Sequence, residues 1–233
     1  MGFKQTPNQN QTGEMRTTML ALILGLVIFA TPSHQIPLTM MEESVDDMYE
    51  KCSAEMAAKV DSYYFPEEIK NNNFKNAWNL AKSFAKTKYK NRPDKELTLN
   101  QVQAIYVYTQ EFPKLYEEFN AIVRDGKAKY TTPAFPYHAL HFWLTTALQI
   151  ISKNKPCQTT YRRSRDKFTG QENQEMRFEF YSGKSESEIL IPPYEKFKII
   201  KAVDGSYEEL KDCKKVYVIK STGKTSNLDC KAI

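Results

Sequence analysis

Residues 137–151 read YHALHFWLTTALQII, and shortly after them, at Pro156, the character of the sequence changes. Wound at 3.6 residues per turn, this stretch is apolar on nearly every face, which predicts a buried helix at the centre of the molecule. Ahead of it, apolar residues recur every three or four positions. Behind it, they fall in short runs cut by turn residues.

The region ahead predicts four further helices. Over 42–60, Val45, Met48, Tyr49, Cys52, Met56 and Val60 have the spacing of one helical face. A second helix is predicted over 67–89, with Phe74, Trp78, Ala81 and Phe84 inward, broken by Asn91-Arg92-Pro93-Asp94. Thr98-Leu99-Asn100-Gln101 has the spacing of a capping box and opens a helix carrying Val102, Ile105 and Tyr106. Pro113 starts another, with Leu115, Phe119 and Ile122 on one face. Beyond Pro156, β-type runs are predicted at 159–162, 177–181, 188–191, 197–203 and 216–219, separated by Thr169-Gly170, Ser182-Gly183, Asp204-Gly205 and Thr222-Gly223. Helices first and strands afterwards predict an α+β fold, a helical N-terminal half packed on a mostly antiparallel C-terminal sheet.

A chain of 233 residues with 41% hydrophobic and 26% charged residues suits one ordinary domain plus a leader. The net charge of +5 is spread along the chain, so it reads as a solvated surface, and no nucleic-acid partner is expected. Residues 19–30, MLALILGLVIFA, follow Lys4 and Arg16 and precede Thr31-Pro32-Ser33. The run falls short of the roughly 20 residues of a membrane-spanning helix and has the layout of a secretory signal peptide. Residues 1–34 are therefore expected to be the leader, cut near Ala30 or Ser33, and 42–233 the functional domain. The long polar start leaves two alternatives: Met15 is the working start, or the leader stays uncut as an anchor. Four cysteines behind such a leader, Cys52, Cys157, Cys213 and Cys230, argue for disulfides in a secreted protein, with three pairings open. There is no cysteine–histidine cluster, so no metal is expected. The chain stops at Ile233 without a hydrophobic tail after Cys230, so no GPI anchor is expected. A monomer is the default expectation. His138 and His141 lie in the apolar helix and read as core histidines.

Residues 185–197, SESEILIPPYEKF, place Glu186 and Glu188 two apart at the mouth of a short strand that Pro192-Pro193 ends. Two apart on a strand is the same face, so the carboxylates project together and their repulsion raises the pKa of at least one. On pattern alone they also fit two solvated glutamates at a strand edge.

The run Glu186-Ser187-Glu188-Ile189-Leu190-Ile191-Pro192-Pro193-Tyr194-Glu195 resembles the signature of the vertebrate arginine-specific mono-ADP-ribosyltransferases. The resemblance extends to Ala104–Thr109, Leu115–Asn120, His138–Gln149, Cys157-Gln158-Thr159-Thr160-Tyr161-Arg162, Asp166–Gly170 and Ser221–Cys230. It implies the ADP-ribosyltransferase fold and transfer of ADP-ribose from NAD (or NADP) to arginine side chains of acceptor proteins, with NAD as a substrate. NAD glycohydrolysis, or a non-enzymatic binding protein on the same fold, are the alternatives. Glu188 would be the catalytic carboxylate, stabilising positive charge on the ribose as carboxylates do in glycosidases. Glu186 would orient the acceptor guanidinium. Arg162 would grip the pyrophosphate with two hydrogen bonds. The family's serine strand has no clear counterpart: Ser182 or Ser185 would stand in for it, Ser185 being taken as the cofactor contact. Two departures accompany the match. Arg163 stands where the family has glycine, and a whole segment is missing between Phe178 and Glu186. The resemblance also implies a Cys52–Cys230 disulfide and leaves Cys157 either free or paired with Cys213.

Overall fold

The computed structural model describes residues 35–92, 96–153, 159–179, 181 and 190–233. The leader expected over 1–34, Cys157, and the candidate residues Ser185, Glu186 and Glu188 lie outside the described residues. Among the described residues the first elements are strand β1 (Gln35–Pro37) and helix α1 (Ser53–Lys59). A π-helical stretch (Val60–Tyr64) continues into α2 (Phe65–Glu68). Then come α3 (Asn72–Asn91), α4 (Leu99–Thr109), α5 (Leu115–Arg124) and α6 (His138–Ser152). Strands β2 (Lys167–Thr169), β3 (Glu175–Arg177), β4 (Glu195–Asp204) and β5 (Lys215–Lys224) follow. β4 pairs antiparallel with both β3 and β5, and β1 pairs with β2 in parallel. The α+β order of helices before an antiparallel sheet is therefore the order observed.

Helix α6 is the expected central helix, with every residue from His138 to Ala147 buried. Trp143 stacks on Trp78 of α3, ring centres 4.9 Å apart, and meets Phe65 edge-on at 5.1 Å. Truncating such a core aromatic costs about 3–5 kcal/mol. The helix starts where it does because the buried Glu68 carboxylate accepts from the backbone N–H of His138 at 2.7 Å and of Ala139 at 2.9 Å. Those donors have no partner inside the helix, and the negative charge suits the N-terminal end. A smaller apolar cluster of Leu38, Met176, Phe197 and Ile199 lies on the sheet.

The capping box at α4 forms as its spacing predicts. Thr98 Oγ1 accepts from Gln101 N at 3.3 Å, and Gln101 Oε1 accepts from Thr98 N at 2.8 Å. The helix turns Ala104, Val107 and Tyr108 fully inward, leaving Val102, Ile105 and Tyr106 half-buried. On α5, Leu115 and Phe119 are buried as expected, and Val123 occupies the deep position that Ile122 was expected to share. Phe84 is likewise only half-buried, stacked on Tyr106 at 3.8 Å.

Four expectations are corrected. Residues 42–52 are not helical. They form a tight loop in which Tyr49 has φ 57° and its N–H donates to Asp47 Oδ1 at 2.9 Å. Apolar spacing reports which side is buried, and a compact loop held by buried carboxylates buries the same residues. The helix expected over 67–89 begins later, because the Asn71 side chain accepts from Asn73 N at 2.8 Å and caps α3. The run at 159–162 is an exposed irregular stretch with no strand partner among the described residues. The run at 177–181 is shifted: β3 is Glu175–Arg177.

Candidate active site

A wide trough of about 2620 Å³ lies between the helices and the sheet. Its helical wall includes Ile105, Thr109, Leu148 and Ile151, and its sheet wall includes Phe197, Val216 and Lys220. The space is larger than the roughly 300–1,000 Å³ typical of a small-ligand pocket. Arg162 lines it from the exposed stretch that precedes β2. Leu190, Ile191, Pro192, Tyr194 and Glu195, the residues that directly follow the two candidate glutamates, line it as well. The structure thus brings Arg162 and the exit of the glutamate line to one concavity. Ser185, Glu186 and Glu188 are not among the described residues.

That exit is firmly mounted. Leu190 packs on the helical core and Ile191 on the sheet cluster, so two consecutive residues bridge the two apolar clusters. Pro192-Pro193 turns the chain, with Glu195 N donating to Pro192 O at 3.1 Å, and β4 begins at once. Tyr194 is 2% exposed, its carbonyl accepts from Thr225 N at 2.9 Å, and burial pushes its phenol well above the ordinary value while Gln149 hydrogen-bonds it. Such anchoring suits a residue line that must hold functional groups in place.

Arg163, the residue in place of the family's glycine, does not project freely. Its guanidinium donates to Glu209 O at 2.8 Å, and the neighbouring Tyr161 hydroxyl donates to Glu208 at 3.1 Å. Both contacts tie the Arg162 stretch to the turn that joins β4 to β5.

Two buried carboxylates of the N-terminal loop were not singled out by the sequence reading. Asp46 pairs with Arg177, and it accepts from the backbone N–H of Asn227 at 3.0 Å and of Leu228 at 3.1 Å. Arg177 itself lines the trough, and its Nε donates to Met40 O at 2.7 Å. Asp47 accepts from Tyr49 N at 2.9 Å, Cys230 N at 3.0 Å and the Tyr130 hydroxyl at 2.7 Å. Burial nevertheless raises its pKa to about 6, the dominant cause being loss of solvation. Tyr130 Oη also lies 2.9 Å from Tyr49 Oη, whose hydroxyl is 2.7 Å from His141 Nδ1. Desolvation lowers His141 to about 3, so the ring is neutral and suited to a structural hydrogen bond. The adjacent pair Asp46-Asp47 inside an apolar-spaced run was the available signal for this network. Cys52 and Cys230 are joined by a disulfide, and Cys213 is free and half-buried.

Among the described residues, no group of histidine, cysteine, aspartate or glutamate could hold a metal ion. Among them, too, no helix is long and apolar enough to cross a membrane.

Comparison with known proteins accounts for this architecture. The profile of the NAD:arginine ADP-ribosyltransferase family matches residues 38–185. The mouse ecto-ADP-ribosyltransferase 5 is 31% identical over 125 residues, covering 52% of this chain and 40% of the relative. The rat protein of that name is 30% identical over 146 residues, covering 61% and 47%. The chain thus spans less than half the length of these two relatives. The rabbit GPI-linked NAD(P)(+)–arginine ADP-ribosyltransferase 1 is 26% identical over 255 positions, covering 86% of this chain and 76% of the relative. Since 86% of 233 residues is about 200, some fifty of those positions have no counterpart here. Among solved structures, the eucaryotic mono-ADP-ribosyltransferase ART2.2 superposes with a TM-score of 0.65 at 24% identity, over 84% of this chain and 98% of that one. A further ART2.2 structure, of a variant in complex with NADH, superposes with a TM-score of 0.64. With a family match over most of its length and the same fold, the chain belongs to the NAD:arginine ADP-ribosyltransferase family.

Proposed function

We propose that the protein transfers ADP-ribose from NAD to arginine side chains of acceptor proteins and releases nicotinamide. The observation that carries this reading is the trough, where Arg162 and the residues just after Glu186 and Glu188 share one concavity in a chain of this family. Arg162 has a planar fork of donors for the pyrophosphate of NAD. Glu188 precedes Leu190 by two residues and would stabilise the ribose as its bond to nicotinamide breaks. The bonding pair leaves with nicotinamide, and a guanidino nitrogen of the acceptor closes the new bond at the same carbon as it gives up one proton to the solvent. Glu186 would position that guanidinium by a paired carboxylate contact, which favours arginine over other acceptors. Ser185 would contact the cofactor. The domain is proposed to run over 42–233 as a monomer. It is proposed to lie outside the cytoplasm, after a leader over 1–34.

The test is direct. The secreted protein is given labelled NAD and an arginine-rich acceptor beside Glu188→Gln. Label on the acceptor with the native protein and not with the variant is expected. Label with both, or with neither, sinks the reading. Free nicotinamide without labelled acceptor assigns hydrolysis instead.

A further inference from the structure

Arg162-Arg163-Ser164-Arg165 packs three guanidinium groups into four residues. Residues 159–166 belong to no helix or strand, and every one of them is exposed. Arg163 is occupied by the carbonyl of Glu209, but Arg162 and Arg165 have no hydrogen-bond or ion-pair partner among the described residues. The chain has one other pair of adjacent basic residues, Lys214-Lys215. That pair opens β5, where Lys215 stands opposite Asp204 with its ammonium 3.1 Å from the carboxylate. An endoprotease must draw several residues into its cleft in extended form. Backbone already paired in a sheet is closed to it; residues 161–166 lie outside the sheet, with the Asp166 N–H donating to the Ser164 hydroxyl at 3.1 Å, and Lys167, the first residue of the three-residue pairing of β2 with β1, must release from Gln35 as the cleft takes up the chain.

We propose that residues 162–165 are a processing site for an endoprotease specific for clustered basic residues, which cuts the bond between Arg165 and Asp166. Carboxylate-lined subsites of such an enzyme would take the Arg165 guanidinium at the scissile position and that of Arg162 three residues ahead, each as a charge-assisted pair. One water molecule is consumed: its hydroxyl completes the new carboxyl group of Arg165, and its proton goes to the new amine of Asp166. The cut does not part the molecule. The Cys52–Cys230 disulfide joins the two pieces. β1 pairs with β2 across the cut. Asp46 holds Arg177 and the backbone at Asn227 and Leu228 from the other side. The product is a two-chain protein linked by one disulfide. In the cell the site meets such a protease along the proposed secretory route, but the susceptibility of the bond is independent of that route and of the transferase reading.

The experiment uses the full, disulfide-intact chain and a purified endoprotease of this specificity. One band is expected without reductant and two with it, the smaller beginning at Asp166 by N-terminal sequencing. Arg165→Ala is expected to resist, and Arg162→Ala to be cut roughly 30-fold more slowly for want of one desolvated charge pair. Circular dichroism of both variants confirms their fold, since both positions are exposed. A native chain that stays whole, a first cut elsewhere, an Arg165→Ala chain cut at the native rate, or pieces that separate without reductant overturns the proposal.

Discussion

Arg177 donates to the Asp46 carboxylate with both side chains shut off from solvent, Asp46 at 0% and Arg177 at 1% exposed. The partners come from the N-terminal loop and from β3, 131 positions apart in sequence. A buried pair of charges stabilises a fold only when its remaining hydrogen-bonding capacity is filled. Here it is: Asn227 N and Leu228 N donate to Asp46, and the carbonyls of Met40 and Thr225 accept from Arg177. One ion pair thus ties the start of the domain, the sheet and the C-terminal segment together.

Asp46→Ala leaves the Arg177 guanidinium buried without a counter-charge and is expected to lose about 3–5 kcal/mol of stability. Urea unfolding followed by circular dichroism measures it. The double variant Asp46→Leu/Arg177→Leu should recover part of the loss and not all of it, because the N–H groups of Asn227 and Leu228 would still lack their acceptor. A single variant within about 1 kcal/mol of the native chain contradicts this account of the pair.

Breaking the Cys52–Cys230 link frees a loop of 178 residues in the unfolded chain. On chain-entropy grounds the Cys230→Ser variant should be about 5 kcal/mol less stable. Thermal melting with and without reductant checks this: reductant should lower the native midpoint and leave that of the variant where it was.

Asp47 supplies a pH dependence whose sign runs against the usual one for carboxylates. Its pKa rises from 3.8 unfolded to about 6 folded, so between these values the folded state holds the extra proton. Stability from this group is full below about pH 4 and falls as pH rises towards 6, by roughly 3 kcal/mol at 1.4 kcal/mol per pKa unit. Asp47→Asn, whose side chain does not titrate, is the reference. Plotted against pH, native stability minus variant stability should decline over that window and then level off. A flat or rising difference would show that Asp47 is not held neutral by its burial. The proton also has a structural place. Ionised, Asp47 accepts the one hydrogen of Tyr130; protonated, it donates to Tyr130 instead, which frees the Tyr130 hydrogen for Tyr49 and that of Tyr49 for His141.

At the candidate site, Glu188→Gln should lower arginine transfer by about 10²–10³-fold, the range for losing one group aimed at transition-state charge. Arg162→Lys keeps the charge and loses the two-pronged contact, so it should raise the KM for NAD by about tenfold with kcat largely unchanged. Initial rates over a range of NAD concentrations separate the two. Equal loss of kcat in both variants would place Arg162 elsewhere than at the pyrophosphate.

Much of this was legible locally. Thr98 and Gln101 cap a helix through contacts three residues apart, and the run from His138 to Ala147 has no polar face to expose, so each predicts its own structure. The family of the chain was equally plain in the line from Glu186 to Glu195. Other features were not legible, because a one-dimensional pattern records burial and not its cause. The spacing of Val45, Met48, Tyr49 and Cys52 was that of a helix, yet two aspartates draw that backbone into a loop. The run at 159–162 had strand composition and found no strand to pair with. What the sequence by itself determined was the helices α3 to α6 and the two long strands β4 and β5, since each depends on neighbours along the chain; the short strands β1 and β2 carried no such signal. Only the tertiary structure decided that Arg162 shares a trough with Leu190 and Ile191, and that Asp46 meets Arg177 beside Leu228. Those meetings depend on packing between segments more than a hundred residues apart in the latter case, which no local rule of spacing encodes.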